Sequence, residues 1–166
     1  MIYVLGMLFL ALIISTGYTF FKYIKLKDIN NSLNIAIENI NTILDKKLDL
    51  VNELLKEIKN DKIKQKFKYK SDFTIQEKEA SLFDISFDIN KYIKEGKNKK
   101  LKDKVKNLNN LEENLDGLKD YYNANVLNYN EIFLKKYWNK LFKLLKFNDY
   151  KSFKIRKLEE YEIFKN

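Results

Sequence analysis

The sequence predicts an all-α protein in which an N-terminal transmembrane helix continues into an antiparallel bundle of three or four helices. The 166 residues include no Pro and only four Gly, so little in the chain interrupts helices. All 32 basic and 23 acidic residues lie at or after position 22, which leaves the first 21 residues without a charged side chain. After that point apolar residues recur mostly at spacings of three and four, the period of one helix face.

Residues 2–21 predict a transmembrane anchor. This uncharged run would form a helix of about 30 Å, which matches the hydrocarbon core of a bilayer. No basic residue precedes the run, so we expect a retained anchor rather than a cleaved signal peptide. Aromatic residues at both ends favour an anchor over a buried core helix. Lys22, Lys25 and Lys27 follow directly, and the positive-inside rule then predicts an outside N-terminus and a cytoplasmic soluble domain.

The soluble part is predicted to contain three long helices. An apolar stripe from Leu26 to Ile58, with Leu48 as one of its members, predicts a first helix that forms one rod with the anchor. Lys62–Lys70 alternates Lys with other residues and is predicted to be an exposed loop. The Thr74-x-x-Glu77 capping box predicts the start of a second helix, which should end at Gly96.

The third predicted helix carries the most regular stripe, from Leu101 to Phe133, with Leu111 and Leu118 as members. An aromatic-rich fourth segment covers Tyr137–Phe147 and includes the single Trp of the chain. We therefore divide the chain into an anchor (2–21), a helical bundle (22–153) and a basic tail (154–166). The connectors are short enough for antiparallel packing. We therefore predict that the first bundle helix runs away from the membrane, the second returns, the third runs away and the last returns, which would bring the 97–100 turn to the bilayer.

Several short motifs carry a resemblance to a known family. The spacing Tyr122-Asn123-x-x-Val126-x-x-Tyr129-Asn130 is similar to the signature of LemA family proteins, which are bacterial, membrane-anchored and helical. Lys47-Leu48-Asp49-Leu50-Val51 is also similar to the family, with Lys in place of the usual Arg, and so is Leu108-x-x-Leu111-Glu112. Lys146-Phe147 resembles the family's Gly-Phe, with Lys in place of Gly, and Ser152-Phe153 resembles its closing Phe position. The resemblance covers about residues 26–153. It implies an N-terminal anchor, a helical bundle and no established catalytic residues.

Composition excludes several classes of site. Without Cys or His the chain cannot form a disulfide, a zinc peptidase site, a Ser-His-Asp triad or a Cys nucleophile. We expect no cofactor, no metal, no small-molecule substrate and no enzymatic activity. The adjacent carboxylates Glu112-Glu113 and Glu159-Glu160 point about 100° apart on a helix, so we interpret them as solvated faces.

The net charge of +9 raises the question of a polyanionic partner. Lys is interspersed with acidic residues and no nucleic-acid motif is present, so we do not expect nucleic-acid binding. An anionic inner leaflet is the better partner, because each nearby Lys contributes about 1 kcal/mol there. The lysines predicted to contact it are Lys22, Lys25, Lys27, Lys97, Lys99 and Lys100.

The signature residues allow two interpretations. Tyr122 and Tyr129 lie seven residues apart on one helix face, as do Asn123 and Asn130. Their side chains either pack in the core or, together with Val126, Lys47 and Asp49, form a face for a partner. The function expected is a non-enzymatic docking or scaffold module for other membrane proteins. The alternative is a lipid-directed membrane-organising protein that self-associates.

Overall fold

The computed structural model describes residues 2–95, 101–135 and 139–156, with the side chain of Ile2 left out. Within these ranges the chain forms helices and no strand, so the predicted all-α class is confirmed. The helices are α1 (Ile2–Glu57), α2 (Asp61–Lys66), α3 (Ile75–Lys94), α4 (Lys102–Phe133) and α5 (Asn139–Leu144).

Helix α1 joins the predicted anchor to the first bundle helix without a break. This is expected because no Pro or Gly occurs between positions 18 and 59. It is long and apolar enough to cross a membrane, and its apolar window is not buried against any other described part of the chain. The large apolar side chains between Tyr3 and Phe21 are more than half exposed. The burial pattern changes at Leu26, which is fully buried.

The chain packs as two compact units. The first unit comprises Met1–Ile35 and Asn123–Ser152, and the second comprises Ala36–Tyr122 and Phe153–Asn166. Fully buried apolar side chains form a core in each. In the first unit these are Leu26, Leu33, Tyr129, Phe133 and Phe142, and in the second they include Ile40, Val51, Leu54, Leu82, Ile89, Leu108 and Leu115.

Polar contacts in the second unit establish the direction of its helices. Lys104, near the start of α4, pairs with Glu53 and Glu57 at the end of α1, at 3.2 and 2.6 Å. Farther along, α4 contacts α3 in reverse order, since Asn109 bonds to Asn90 and Lys119 pairs with Glu79. Helix α4 is therefore antiparallel to both α1 and α3, and α3 runs in the same direction as α1.

The prediction that the second long helix, α3, runs antiparallel to α1 is therefore wrong. The segment between α1 and α3 runs antiparallel to α1 instead. Lys66 pairs with Asp88 at 3.0 Å, and the Ser81 hydroxyl donates to the Lys68 carbonyl at 2.5 Å, so this segment runs antiparallel to α3. The helix ends that flank residues 97–100 thus lie beside the C-terminal end of α1. The predicted placement of Lys97, Lys99 and Lys100 at the membrane is not supported, and these residues themselves lie outside the described ranges.

The predicted Lys62–Lys70 loop contains a short helix, α2. Asn60 caps it, because the Asn60 side chain accepts a hydrogen bond from the Lys62 N–H at 3.1 Å. The alternation of Lys concealed one apolar contact: Ile63 is only 8% exposed and anchors this turn of helix to the second unit. The start of α3 matches the prediction, since Thr74 and Glu77 form a complete capping box. Its predicted end at Gly96 lies outside the described residues.

The aromatic-rich fourth segment contains a short helix in its described part, and residues 137 and 138 lie outside the described ranges. Helix α5 covers Asn139–Leu144, and Lys146 lies two residues later in the left-handed region with φ 62°. That conformation costs a residue with a Cβ atom about 1–2 kcal/mol, and it stops the helix at a position where the LemA resemblance implies Gly.

Candidate functional site

The signature residues of α4 divide between interior and surface. Tyr122, Val126 and Tyr129 are 2%, 1% and 0% exposed, whereas Asn123 and Asn130 are half-buried. The three buried side chains cannot form a face for a partner, so core packing is the interpretation that the structure favours for them. In the second unit Tyr122 packs edge-on against Phe153, with ring centroids 5.1 Å apart.

Tyr129 is the centre of an aromatic cluster in the first unit. Its ring stacks on Phe133 and meets Tyr150 edge-on, at centroid distances of 5.2 and 5.0 Å. Its hydroxyl donates to the Asn148 carbonyl at 2.8 Å, and the Tyr150 hydroxyl lies 2.7 Å from the acceptor Oδ1 of Asn30. The cluster thus fastens the segment after α5 to α1 and α4.

Burial is the main cause that raises the pKa of Tyr129 above its ordinary value, and Tyr150 and Asp149 add to it. The folded protein therefore keeps this hydroxyl neutral at pH values where the unfolded chain would ionise it. The resulting contribution to stability is complete below the ordinary pKa of 10.0 and is lost as pH rises above it.

A network of ionised side chains crosses the interior of the second unit. The Lys47 ammonium on α1 pairs with Glu112 on α4, and these side chains are 0% and 2% exposed. Two turns away on the same face of α4, Lys119 contacts Glu79 of α3 at 2.9 Å and Asp116 at 2.7 Å. We call Lys47, Glu79, Glu112, Asp116 and Lys119 the buried ionic network.

Arg156 closes one end of the network. Its guanidinium lies 3.4 Å from Glu79 and 3.4 Å from Asp84, and 5.3 Å from the Phe83 ring centroid. The start of the predicted basic tail is therefore packed on α3 within the second unit. The rest of the tail, from residue 157 onward, lies outside the described residues.

The two buried lysines respond differently to their surroundings. Burial lowers the pKa of Lys47 below its ordinary value even though Glu112 and Glu79 favour the cation. Burial also opposes the Lys119 cation, but its hydrogen bond to Asp116 and the charge of Glu79 outweigh burial and raise the pKa of Lys119. Lys47 therefore has the poorer compensation of the two, and the Oε1 atom of Glu112 has no hydrogen-bond partner among the described residues.

The buried ionic network joins α1, α3 and α4 to one another, and its charged groups contact each other. Its three carboxylates are balanced by its two lysines together with Arg156. The pairs Lys47–Glu112 and Lys119–Glu79 join different helices. No group of His, Cys, Asp and Glu suited to hold a metal ion occurs in the part of the chain that the structure describes. Chemically, the arrangement can fix the register of α1, α3 and α4, because each ion pair is satisfied in only one alignment.

The sequence-based interpretation of Glu112 as a solvated residue is wrong. Glu113 is exposed as expected, but Glu112 is buried in the ion pair with Lys47. Asp49, predicted beside Lys47 as a signature residue, is exposed and lies on another face of α1. The burial of Glu112 could have been predicted from the spacing of the stripe in α4. Leu108, Glu112 and Leu115 are separated by four and three residues, which continues the alternation of the buried positions. Leu111, the residue predicted for the stripe, is only half-buried.

The predicted lipid-contacting lysines of the first unit lie at its surface. Lys25 and Lys27 are exposed, and Lys22 is half-buried with its ammonium 5.4 Å from the Tyr18 ring centroid. Aromatic rings and Lys at the end of an apolar helix are typical of the membrane–water interface.

Comparison of the chain with protein families, with curated proteins and with solved structures finds no match. The resemblance to the LemA family therefore depends on the motifs quoted above.

Proposed function

We propose that the chain is a non-enzymatic, single-pass protein of the bacterial inner membrane with its N-terminus outside. Its cytoplasmic helical domain serves as a docking or scaffold module for other membrane proteins. The resemblance to the LemA family supports the anchor and the bundle.

The observation that carries this proposal is the exposure of the apolar part of α1. Tyr3, Met7, Phe9 and Leu12 are 86%, 70%, 67% and 65% exposed, and the helix face opposite each of them is equally free. Soluble proteins rarely expose apolar patches larger than a few hundred Å² to water. A helix of this length that is apolar all round needs apolar surroundings, and the hydrocarbon core of a bilayer would supply them.

Support for a docking role comes from an open groove in the second unit. The groove has a volume of about 540 Å³ and is lined by the apolar side chains of Phe67, Phe73 and Ile85 and by charged residues that include Asp84. Apolar surface with a charged rim is the usual anatomy of a protein interface. The ionisable groups of the interior neutralise one another, which supports a structural rather than a catalytic use of them.

Orientation can be tested with single-Cys variants, because the native chain has no Cys. A Lys64→Cys variant places the thiol at an exposed site on α2, and Ser71→Cys provides a second exposed site. We expect neither thiol to react with a membrane-impermeant maleimide in intact cells and both to react after lysis. Labelling of both thiols in intact cells would reverse the orientation.

Docking can be tested by photo-crosslinking in intact cells. A photoreactive amino acid in place of Lys68, an exposed residue at the groove, should give an adduct with a membrane protein of different sequence. The matched control is the same substitution at Asn114, an exposed residue of α4 outside the groove, which should give none. Adducts only between copies of the chain, with anionic lipid co-purifying, would instead support the lipid-directed, self-associating alternative.

A further inference from the structure

Helix α5 has one buried face and one exposed apolar face. Phe142 is fully buried and packs edge-on against Phe147, with ring centroids 5.7 Å apart. In contrast, Leu141, Leu144 and Leu145 are 36%, 80% and 47% exposed. One short segment therefore presents three Leu side chains to solvent, of which Leu144 is mostly exposed and Leu141 and Leu145 are partly exposed.

The exposed face of α5 is continuous with the apolar part of α1. Leu141 and Leu145 line the same open groove, of about 510 Å³, as Thr16, Phe20 and Tyr23 of α1. Beneath the groove the Tyr23 ring meets Phe147 edge-on at 5.8 Å, and Phe147 in turn contacts Phe142. Helix α5 is thus fastened to α1 where the apolar run ends, within the first unit.

Basic residues flank the exposed leucines. Lys140, Lys143 and Lys146 are all exposed and alternate with the apolar positions. Asp149 lies 4.0 Å from Lys143, at the limit of an ion pair, and both side chains are more than half exposed. A short segment with exposed Leu between exposed Lys complements a surface that has acyl chains beneath anionic headgroups.

We propose that α5 is a second membrane contact, in which Leu141, Leu144 and Leu145 enter the acyl-chain boundary of the leaflet where the apolar run of α1 ends. Lys140, Lys143 and Lys146 reach the lipid phosphates from the same segment. The contact rests on the proposed function, because it needs α1 to span the bilayer. With α5 in the bilayer, the membrane holds the first unit at two points.

The test uses the full-length chain in nanodiscs that contain anionic lipid, with one Cys per variant and an environment-sensitive fluorophore on it. Leu144→Cys reports on α5, Leu12→Cys on the middle of the apolar run, and Ile35→Cys on α1 beyond it. These three native side chains are 80%, 65% and 59% exposed, so the label is accommodated without repacking the core. Quenching by lipids brominated near the headgroup or deep in the acyl chain measures depth.

The label at Leu144→Cys should be quenched several-fold more by the shallow brominated lipid than the label at Ile35→Cys. Its emission should also be shifted to the blue. The label at Leu12→Cys should be quenched by the deep lipid. If Leu12→Cys behaves as expected but Leu144→Cys has the water-like emission of Ile35→Cys, the contact through α5 is wrong while the anchor stands. If Leu12→Cys is not quenched either, the membrane span itself fails.

A blue-shifted but unquenched label at Leu144→Cys would mean that protein, not lipid, covers α5, which also contradicts the contact. The lysines are tested by the triple change Lys140→Gln, Lys143→Gln and Lys146→Gln in the Leu144→Cys background. Shallow quenching should fall when all three charges are removed, whereas the control change Lys102→Gln and Lys106→Gln, at two exposed positions of α4, should leave it unchanged. Equal quenching in both backgrounds would exclude the phosphate contacts.

Discussion

Replacing Lys47 by Met should lower the free energy of unfolding of the full-length chain by about 3–5 kcal/mol, as expected when one partner of a buried ion pair is removed. The change leaves Glu112 charged in an interior where its side chain is 2% exposed and one of its oxygens already lacks a partner. Denaturant unfolding in detergent micelles, followed by helical circular dichroism, measures the loss. The exposed neighbour Lys46 provides the control, and Lys46→Met should change stability by less than about 0.5 kcal/mol.

The double variant Lys47→Met, Glu112→Leu should recover most of this loss or exceed the parent in stability. Apolar side chains of similar volume remove the cost of desolvating two charges, and replacing buried pairs in this way is often neutral or stabilising by about 1–4 kcal/mol. Burial lowers the pKa of Lys47 despite its acidic neighbours, as expected where the surroundings do not fully compensate the cation. A double variant as unstable as Lys47→Met alone would mean that the pair itself stabilises the fold.

The expected gain in the double variant raises the question of what the buried ionic network does for the protein. We propose that it fixes the register of the bundle: Lys47 meets Glu112, and Lys119 meets Glu79, only when α1, α3 and α4 align as they do. Apolar stripes alone would tolerate a slip of one heptad. A double variant that is stable but exchanges between more than one set of helix contacts, seen in distance measurements between paired spin labels, would support this role.

Local helix signals in the sequence were sufficient to predict most of the fold. The uninterrupted run from the anchor into the bundle predicted α1, and the Thr74–Glu77 capping box predicted the start of α3. These features depend on residues close together in the sequence, so their energetics are local. The fold class followed from them because helices with one apolar face must pack against each other.

The members of the stripes were predicted less well, because charged residues were excluded from them by type. In α1 the stripe was continued through Leu48, but the buried residue between Leu44 and Val51 is Lys47. In α4 the buried series runs through Lys119 rather than Leu118. Each replacement restores a strict alternation of three and four, so periodicity was the more reliable guide than residue type.

The direction of α3 relative to α1 could not be predicted from local helix signals or from the apolar stripes. The direction of α3 depends on whether the segment between α1 and α3 forms a tight turn or extends along the bundle. A largely irregular segment has no hydrophobic periodicity from which its path could be predicted. The contacts that decide it, Lys66 with Asp88 and Ser81 with the Lys68 carbonyl, join residues in a pattern that becomes visible only in the folded chain. The predicted place of residues 97–100 depended on that direction and loses its support with it, while the residues themselves lie outside the described ranges.

The apolar core of the second unit can be tested at Leu115, which is fully buried between the two ion pairs of α4. Leu115→Asp should lower the free energy of unfolding by about 4 kcal/mol or more, because it removes a core side chain and buries a charge that has no cation assigned to it. Asn114→Asp adds the same carboxylate at the adjacent exposed position and should change stability by less than about 0.5 kcal/mol.

The core of the first unit can be tested in the same way, by introducing Asp at a buried position and at its exposed neighbour, Val126 and Leu127. Val126 is 1% exposed and Leu127 is 65% exposed, so Val126→Asp places a carboxylate in the core whereas Leu127→Asp places it in solvent. We expect Val126→Asp to lower the free energy of unfolding by several kcal/mol, about 3 or more, and to lower the melting temperature by about 10 °C. Leu127→Asp should leave the melting temperature nearly unchanged. Thermal melts of the full-length chain in micelles measure both effects, and superimposable curves for the two variants would show that this face of α4 is not buried in solution.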